Sequence, residues 1–141
     1  MSDNRRTYRT IRKAIVQLYP GEPKGNQARR LTTLAAMISG IVLGKSCQLP
    51  TIARKAPDHA KADSRIKRYS RWIQNGQVEC EECYLPFVRE LLIRLARTQT
   101  LAFSIDGSEV GDQCITLMIS LIYGKRALPI TWLVVKGCKG H

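Results

Sequence analysis

All of the excess positive charge in this chain lies in its first half. Residues 1–75 hold sixteen Lys and Arg against four Asp and Glu, a net of +12, whereas residues 76–141 hold seven of each and a net of zero. The asymmetry points to a polyanion-binding module joined to a neutral one, because Lys and Arg gain free energy by displacing condensed counterions from phosphate. A membrane surface would accept the same charge, but no amphipathic stretch pairs it with a Trp/Phe/Leu face. Nucleic acid is therefore the expected partner. With 44% hydrophobic residues in 141, the chain is too apolar for a disordered tail and can bury a modest core, as one domain or two small ones. No run reaches the roughly 18 apolar residues of a membrane span. The polar start, Met1 to Arg6, has no apolar segment behind it that would serve as a secretory signal, so the expected compartment is the cytoplasm, with nucleoid association when DNA is bound. Five cysteines in irregular spacing read as reduced thiols rather than a disulfide framework.

The periodicity of the first half is helical. Tyr8, Ile11, Ile15, Leu18 and Tyr19 recur on one face while Arg5, Arg9 and Arg12 take another, and Pro20-Gly21 stops the run. Ala28, Leu31, Leu34, Ala35, Ile38, Ile41 and Val42 form the stripe of a longer, core-forming helix that ends at Gly44. Leu49 to Ala56 reads as a short helix with Pro50 in its first turn, broken by Pro57-Asp58. Asp63 is the expected N-cap of a helix over Ser64 to Asn75, with Ile66, Tyr69 and Ile73 inward and Arg65, Lys67, Arg68 and Arg71 elsewhere. A short helix, a turn and a basic helix are the ingredients of a helix-turn-helix.

Beyond Gly76 an acidic linker, Glu79-Cys80-Glu81-Glu82-Cys83, leads to an amphipathic helix over Pro86 to Arg97. Its stripe is Leu85, Val88, Leu91, Leu92 and Leu95, and Glu90 with Arg94 forms a favourably oriented i,i+4 pair. Leu101 to Asp106, Gln113 to Tyr123 and Ala127 to Val135 are rich in β-branched, aromatic and aliphatic residues. They are separated by the turn-formers Asp106-Gly107-Ser108 and Gly124-Lys125-Arg126. The pattern predicts a three-stranded antiparallel meander, with Pro129 at an edge or bulge position. The fold class is thus α+β, organised as a basic helical region (1–76), a linker and amphipathic helix (77–100) and strands (101–141).

Asp106 is the residue that could carry chemistry. A carboxylate held at a strand end beside a glycine can ligate a hard divalent cation, since Mg²⁺ takes oxygen ligands in a strict octahedron. Asp-Gly between two strands is also the commonest hairpin signal, and the pattern leaves both readings open. Glu109 and Asp112 read as solvated loop charges.

Taken together, Phe103-Ser-Ile-Asp106-Gly-Ser-Glu109-Val110, the strand Ile115 to Tyr123, Lys125-Arg126-Ala127-Leu128-Pro129-Ile-Thr-Trp132 and the end Lys136-Gly-Cys-Lys-Gly140-His141 resemble the opening of the catalytic domain of DDE transposases from bacterial insertion sequences. The resemblance is to the large group with a ribonuclease-H-like fold and a Tyr…Arg…Glu…Lys signature around its last acidic residue. The stretch Lys61 to Asn75 is similar to the DNA-binding part of the same proteins, and the likeness runs from about the second helix onward. It implies that Asp106 is the first carboxylate of a triad that, with a second Asp and a Glu, binds two Mg²⁺ ions for in-line phosphodiester displacement. The other two carboxylates have no counterpart here, Glu109 and Asp112 being too close in the chain. The resemblance therefore implies the first strands of a truncated catalytic domain, an N-terminal transposase fragment that is catalytically incomplete and holds Mg²⁺ weakly or not at all.

The expected function is binding of double-stranded DNA at transposon ends, for cut-and-paste transposition in the intact family member. The alternative is a non-enzymatic regulator or inhibitor that occupies those ends or joins full-length transposase, and a homodimer is a further expected partnership. The expected DNA-binding residues are Arg65, Lys67, Arg68 and Arg71 with Arg54 and Lys55. Arg5, Arg6, Arg9, Arg12 and Lys13 form a second basic face that Arg29, Arg30, Arg54 and Lys55 extend. Trp72 reads as a packing aromatic. Cys80-x-x-Cys83 with Cys138-x-x-His141 has zinc-ribbon spacing, although incidental thiols are the favoured reading. A meander cut short also leaves Ile115, Leu117, Ile119, Leu121 and Leu133 on a bare face, which predicts aggregation or a partner.

Overall fold

A computed structural model describes residues 3–58, 60–111 and 113–137. Six helices precede three strands: α1 (Asp3–Leu18), α2 (Gly25–Gly44), α3 (Leu49–Lys55), α4 (Ala62–Ile73), α5 (Cys80–Cys83), α6 (Leu85–Ala96), β1 (Ala102–Glu109), β2 (Cys114–Tyr123) and β3 (Arg126–Lys136). The protein is α+β, as its periodicities predict. It divides into two compact units, Met1–Phe87 and Val88–His141, with the division inside α6.

The first unit is built on α2, whose sequence is apolar over most of its circumference. One side meets α1, where Ile15, Leu31 and Ala35 are buried with Tyr8, Ile11, Tyr19 and Phe87 around them. The other meets α3 and α4, where Ala36, Met37, Ile52, Ala53, Ala56 and Tyr69 form a second cluster flanked by Ile66 and Trp72. Gly40 is what allows α3 to come so close. A Cβ there would lie 2.6 Å from Ile52 Cγ2 and 2.7 Å from the Ile52 carbonyl oxygen, inside any tolerable contact.

The acidic segment that the sequence presents as a linker belongs to this unit. Glu82 pairs with Arg30 of α2 at 2.8 Å, and the Phe87 ring lies 6.1 Å from that of Tyr19. Counted over the structural unit, residues 1–87 therefore hold sixteen basic and seven acidic side chains, a net of +9.

Three expectations about side-chain placement need correction. Val42 and Ile73, expected inward, are each 56% exposed; Val42 lies on the flank of α2 away from Gly40 and Gly44, where α3 approaches, and Ile73 is the last residue of α4. Asp63 lies in the first turn of α4 rather than capping it; Lys61 is the cap residue and makes no side-chain cap bond. There the carboxylate complements the positive end of the helix dipole.

In the second unit, β1, β2 and β3 form the antiparallel meander in the order β1-β2-β3. Gly124, at a φ of 59°, turns β2 into β3, so that Tyr123 pairs with Arg126. The register slips between Ile119 and Ser120 where Pro129 enters the ladder on the edge strand, as a residue without an N–H requires. The first hairpin differs from expectation. Asp106-Gly107-Ser108 is not a turn but lies within β1, paired with Met118, Leu117 and Thr116. The left-handed backbone that a hairpin needs is supplied further on, by Gly111 (64°) and Gln113 (60°).

One face of this sheet carries Phe103, Ile105, Leu117, Leu133 and Val135, all exposed, with Ile105 at 69% and Leu133 at 61%. Of the expected bare residues, Ile115 and Ile119 are half-buried and Leu121 is fully buried. In α6, Val88 is buried and Leu92 and Leu95 are half-buried, while Glu90 accepts from Arg94 Nε at 2.7 Å.

Gly40→Ala should force α2 and α3 apart and lower stability by about 1–3 kcal/mol. The check is the urea midpoint of the helical transition, which should fall with the m-value unchanged.

Candidate nucleic-acid interface

The six-residue connection between α3 and α4, residues 56–61, is organised by one carboxylate. Asp58 accepts from Arg65 Nε through Oδ1 at 2.6 Å and from Arg68 Nη2 through Oδ2, while its Oδ1 also accepts the Ala60 N–H at 3.2 Å. Arg65 completes the clamp by donating Nη2 to the Asp58 carbonyl at 2.8 Å and Nη1 to the Ala53 carbonyl. The planar fork of arginine thus ties the end of α3, the connection and α4 together. Burial alone would raise the Asp58 carboxyl's pKa, but hydrogen bonds and charge from Arg68, then the bond from Arg65, overcome it and hold the group below its ordinary value.

These contacts sort the expected DNA-binding residues into two kinds. Arg65, with its side chain 13% exposed, spends all three guanidinium nitrogens on the clamp and is structural. Arg68 is more open, lies over the Tyr69 ring at 5.2 Å from its centroid, and engages Asp58 and Tyr69 through Nη2 alone. Lys67 and Arg71 are exposed one turn apart on α4, on a face opposite to the fully buried Tyr69. Arg54 and Lys55 are exposed in the last turn of α3, with Arg54 Nη2 donating to Thr51 at 3.3 Å.

In the wider basic face, Arg30 is withdrawn by Glu82, and its carbonyl accepts the Trp72 indole N–H at 3.1 Å. Trp72 is accordingly a packing residue with its polar tip satisfied. Arg5 and Arg9 of α1 join Arg68 and Asp58 around a cleft of about 450 Å³, lined also by Tyr8, Thr32, Thr33 and Pro57. Arg12 and Lys13 are exposed further along α1. The sequence reading missed Asp58, treating it as half of a Pro-Asp helix break. The available signal was an acid at i−7 and i−10 from two arginines in a stretch otherwise short of acids.

Asp106 sits on the other face of the sheet from Ile105, is exposed, and accepts a hydrogen bond from Ser108 Oγ at 2.9 Å. Strand alternation puts Glu109 on the opposite face. Among the described residues no three His, Cys, Asp or Glu side chains come together to hold a metal. The described residues around Asp106 therefore do not fit a two-metal centre, whose ions need several carboxylates between them. Cys80 and Cys83 are free thiols at the two ends of α5, and burial, reinforced by Glu82, raises the Cys83 pKa. Their suggested zinc partners Cys138 and His141 lie outside the described residues, as does Asp112. Among the described residues no helix is long and apolar enough to cross a membrane. No protein family, curated protein or solved structure matches the chain.

Because the folded Asp58 carboxyl titrates below its ordinary value of 3.8, its contribution is complete above that value and disappears as the pH falls through the folded one. Asp58→Asn should destabilise the helical unit by roughly 1 kcal/mol at neutral pH, a small figure because the pair is partly solvated. It should also remove part of the stability loss below about pH 4, read by urea titrations at pH 7 and in acid.

Proposed function

We propose that the helical unit binds the backbone of double-stranded DNA through the exposed face of α4 and the end of α3, in the manner by which a transposase holds the ends of its element. The observation that carries this reading is the segregation of α4. Tyr69 anchors one side in the core and Arg65 is fixed to Asp58, while Lys67 and Arg71 stand exposed one turn apart, with Arg54 and Lys55 exposed at the end of α3. These four exposed cations belong to a unit of net +9. They match the requirements of phosphate contact, where each neutralised phosphate releases counterions. The α3–α4 pair, tied by the Asp58 clamp, supports the reading as a short helix, a connection and a basic helix, the ingredients of a helix-turn-helix.

The transposase part of the reading rests on the motif around Asp106 and on the β1-β2-β3 order, which is also how the sheet of a ribonuclease-H-like domain opens. Strand cleavage is not part of the proposal, because Asp106 lacks companion carboxylates among the described residues. The second reading, a DNA-binding regulator or inhibitor that occupies element ends or joins full-length transposase, uses the same α4 surface and needs no chemistry at Asp106.

Fluorescence anisotropy with a duplex oligonucleotide tests the proposal. Affinity should fall steeply with salt, and Lys67→Ala with Arg71→Ala should weaken binding by about tenfold and reduce the log–log salt slope by about 2. Binding that is absent, or indifferent to salt and to these changes, overturns it. Asp106→Asn should leave the affinity unchanged, checked in the same titration, since that carboxylate lies outside the helical unit.

A further inference from the structure

A second cleft, of about 320 Å³, lies where the end of α4 meets α2, and among the described residues no acid lines it. Its walls are residues already committed to holding the two helices together. Trp72 donates its indole N–H to the Arg30 carbonyl at 3.1 Å, and the Arg30 guanidinium is paired with Glu82 at 2.8 Å. Thr33 donates its hydroxyl to the Arg29 carbonyl at 3.1 Å. The other three members of the lining keep donors in hand. Arg29 and Asn26 of α2 are exposed, and neither side chain has a hydrogen-bond or ion-pair partner among the described residues. Asn75 is exposed as well; its Oδ1 accepts the Gln77 N–H at 3.0 Å, which leaves the amide Nδ2 as a donor. Because Glu82 offsets Arg30, the positive charge of the cleft is that of Arg29.

The cleft lies in line with the cations of α4. Lys67 and Arg71 are one turn apart, and Gln74 keeps a helical backbone at φ −84° and ψ −3°, so Asn75 follows one turn after Arg71. The row from Lys67 to Asn75 is about 12 Å long, against an axial step of roughly 3.4 Å between phosphates of one DNA strand. A strand lying along Lys67 and Arg71 therefore reaches the cleft within a few nucleotides. We infer that Arg29, with Asn26 and Asn75 beside it, holds one further backbone phosphate of the duplex that α4 engages. The inference rests on the DNA-binding proposal above and adds a contact from α2, outside the α3–α4 pair. One guanidinium with two neutral amides suits an internal phosphodiester, which carries a single negative charge and is commonly bound by Arg, Asn and Gln. The planar fork of Arg29 can meet two oxygens of that phosphate.

The experiment compares the intact chain with Arg29→Gln in anisotropy salt titrations against one duplex, with ethylation interference mapping the phosphates that matter. Arg89→Gln, at an exposed position of α6 outside the helical unit, controls for the loss of one charge from the chain. Arg29→Gln should bind about five- to tenfold more weakly near 100 mM salt and lose about 1 from the log–log slope, the value of one phosphate contact. One phosphate whose ethylation impairs the parent should cease to matter in Arg29→Gln, and it should differ from those lost with Lys67→Ala and Arg71→Ala. Arg89→Gln should keep the parent's slope and map. An unchanged slope and map in Arg29→Gln, or an equal loss in Arg89→Gln, overturns the inference while leaving the α4 proposal standing. Absence of duplex binding by the parent chain removes both, so the two failures are distinct. Far-UV circular dichroism checks that Arg29→Gln is folded. Should it not be, Asn26→Asp, which puts a carboxylate in the same cleft, decides: loss of one phosphate from its map, other than those lost with Lys67→Ala and Arg71→Ala, supports the inference, and an unchanged map overturns it.

Discussion

The helical unit depends on one place where two backbones come almost into contact. At Gly40 the absence of a side chain lets Ile52 of α3 sit against the body of α2, with its Cγ2 and its carbonyl both inside the space a methyl group would need. Ile52 and Ala53 are consequently buried almost completely, and Tyr69 of α4 closes over the same cluster. A seven-residue helix has too few internal hydrogen bonds to persist by itself. The short α3 exists because α2 gives it a surface to bury against, and α4 takes its position from α3.

Position is then converted into charge display by Asp58. The carboxylate divides its two oxygens between Arg65 and Arg68, and Arg65 carries the tie back to the end of α3. Four basic residues occur within seven positions of α4, yet they do different work. One is a structural fork, one is shared between the clamp and the cleft, and two are left outside. A count of positive charge would have weighted all four equally. The same holds for Arg30, whose partner Glu82 arrives from a segment fifty-two residues later and brings the acidic stretch onto the helical unit.

How much of this was legible in the sequence follows from the range of the interactions involved. Amphipathic periodicity located α1, α2, α4 and α6 and the strands, because each stripe records the burial of a face and needs no knowledge of the neighbour. Helix ends were harder, as with Val42 and Ile73, since exposure there depends on which flank the neighbouring helix covers. The Asp106-Gly107 pair misled locally. Its turn propensity is real, but the cross-strand pairing of β1 with Met118, Leu117 and Thr116 outweighs it, and glycine at 111 meets the conformational demand instead. The Asp58 clamp was missed because an ion pair spanning a helix break leaves no periodic trace, only an acid placed seven and ten residues before two arginines. Arg5 and Arg9 were seen as a basic face, whereas their convergence with Arg68 on one cleft depends on the packing of α1 against α2.

The net charge of the helical unit also bears on its own folding. Nine uncompensated positive charges on fewer than ninety residues repel one another across distances comparable to the Debye length, about 10 Å at moderate ionic strength. Salt relieves that self-repulsion and so steadies the fold, but it also shields the cations from a polyanion and loosens its grip. On the proposed function, the unit is steadiest at the salt where a polyanion would be held least, and a bound polyanion would supply the neutralisation that added electrolyte otherwise provides.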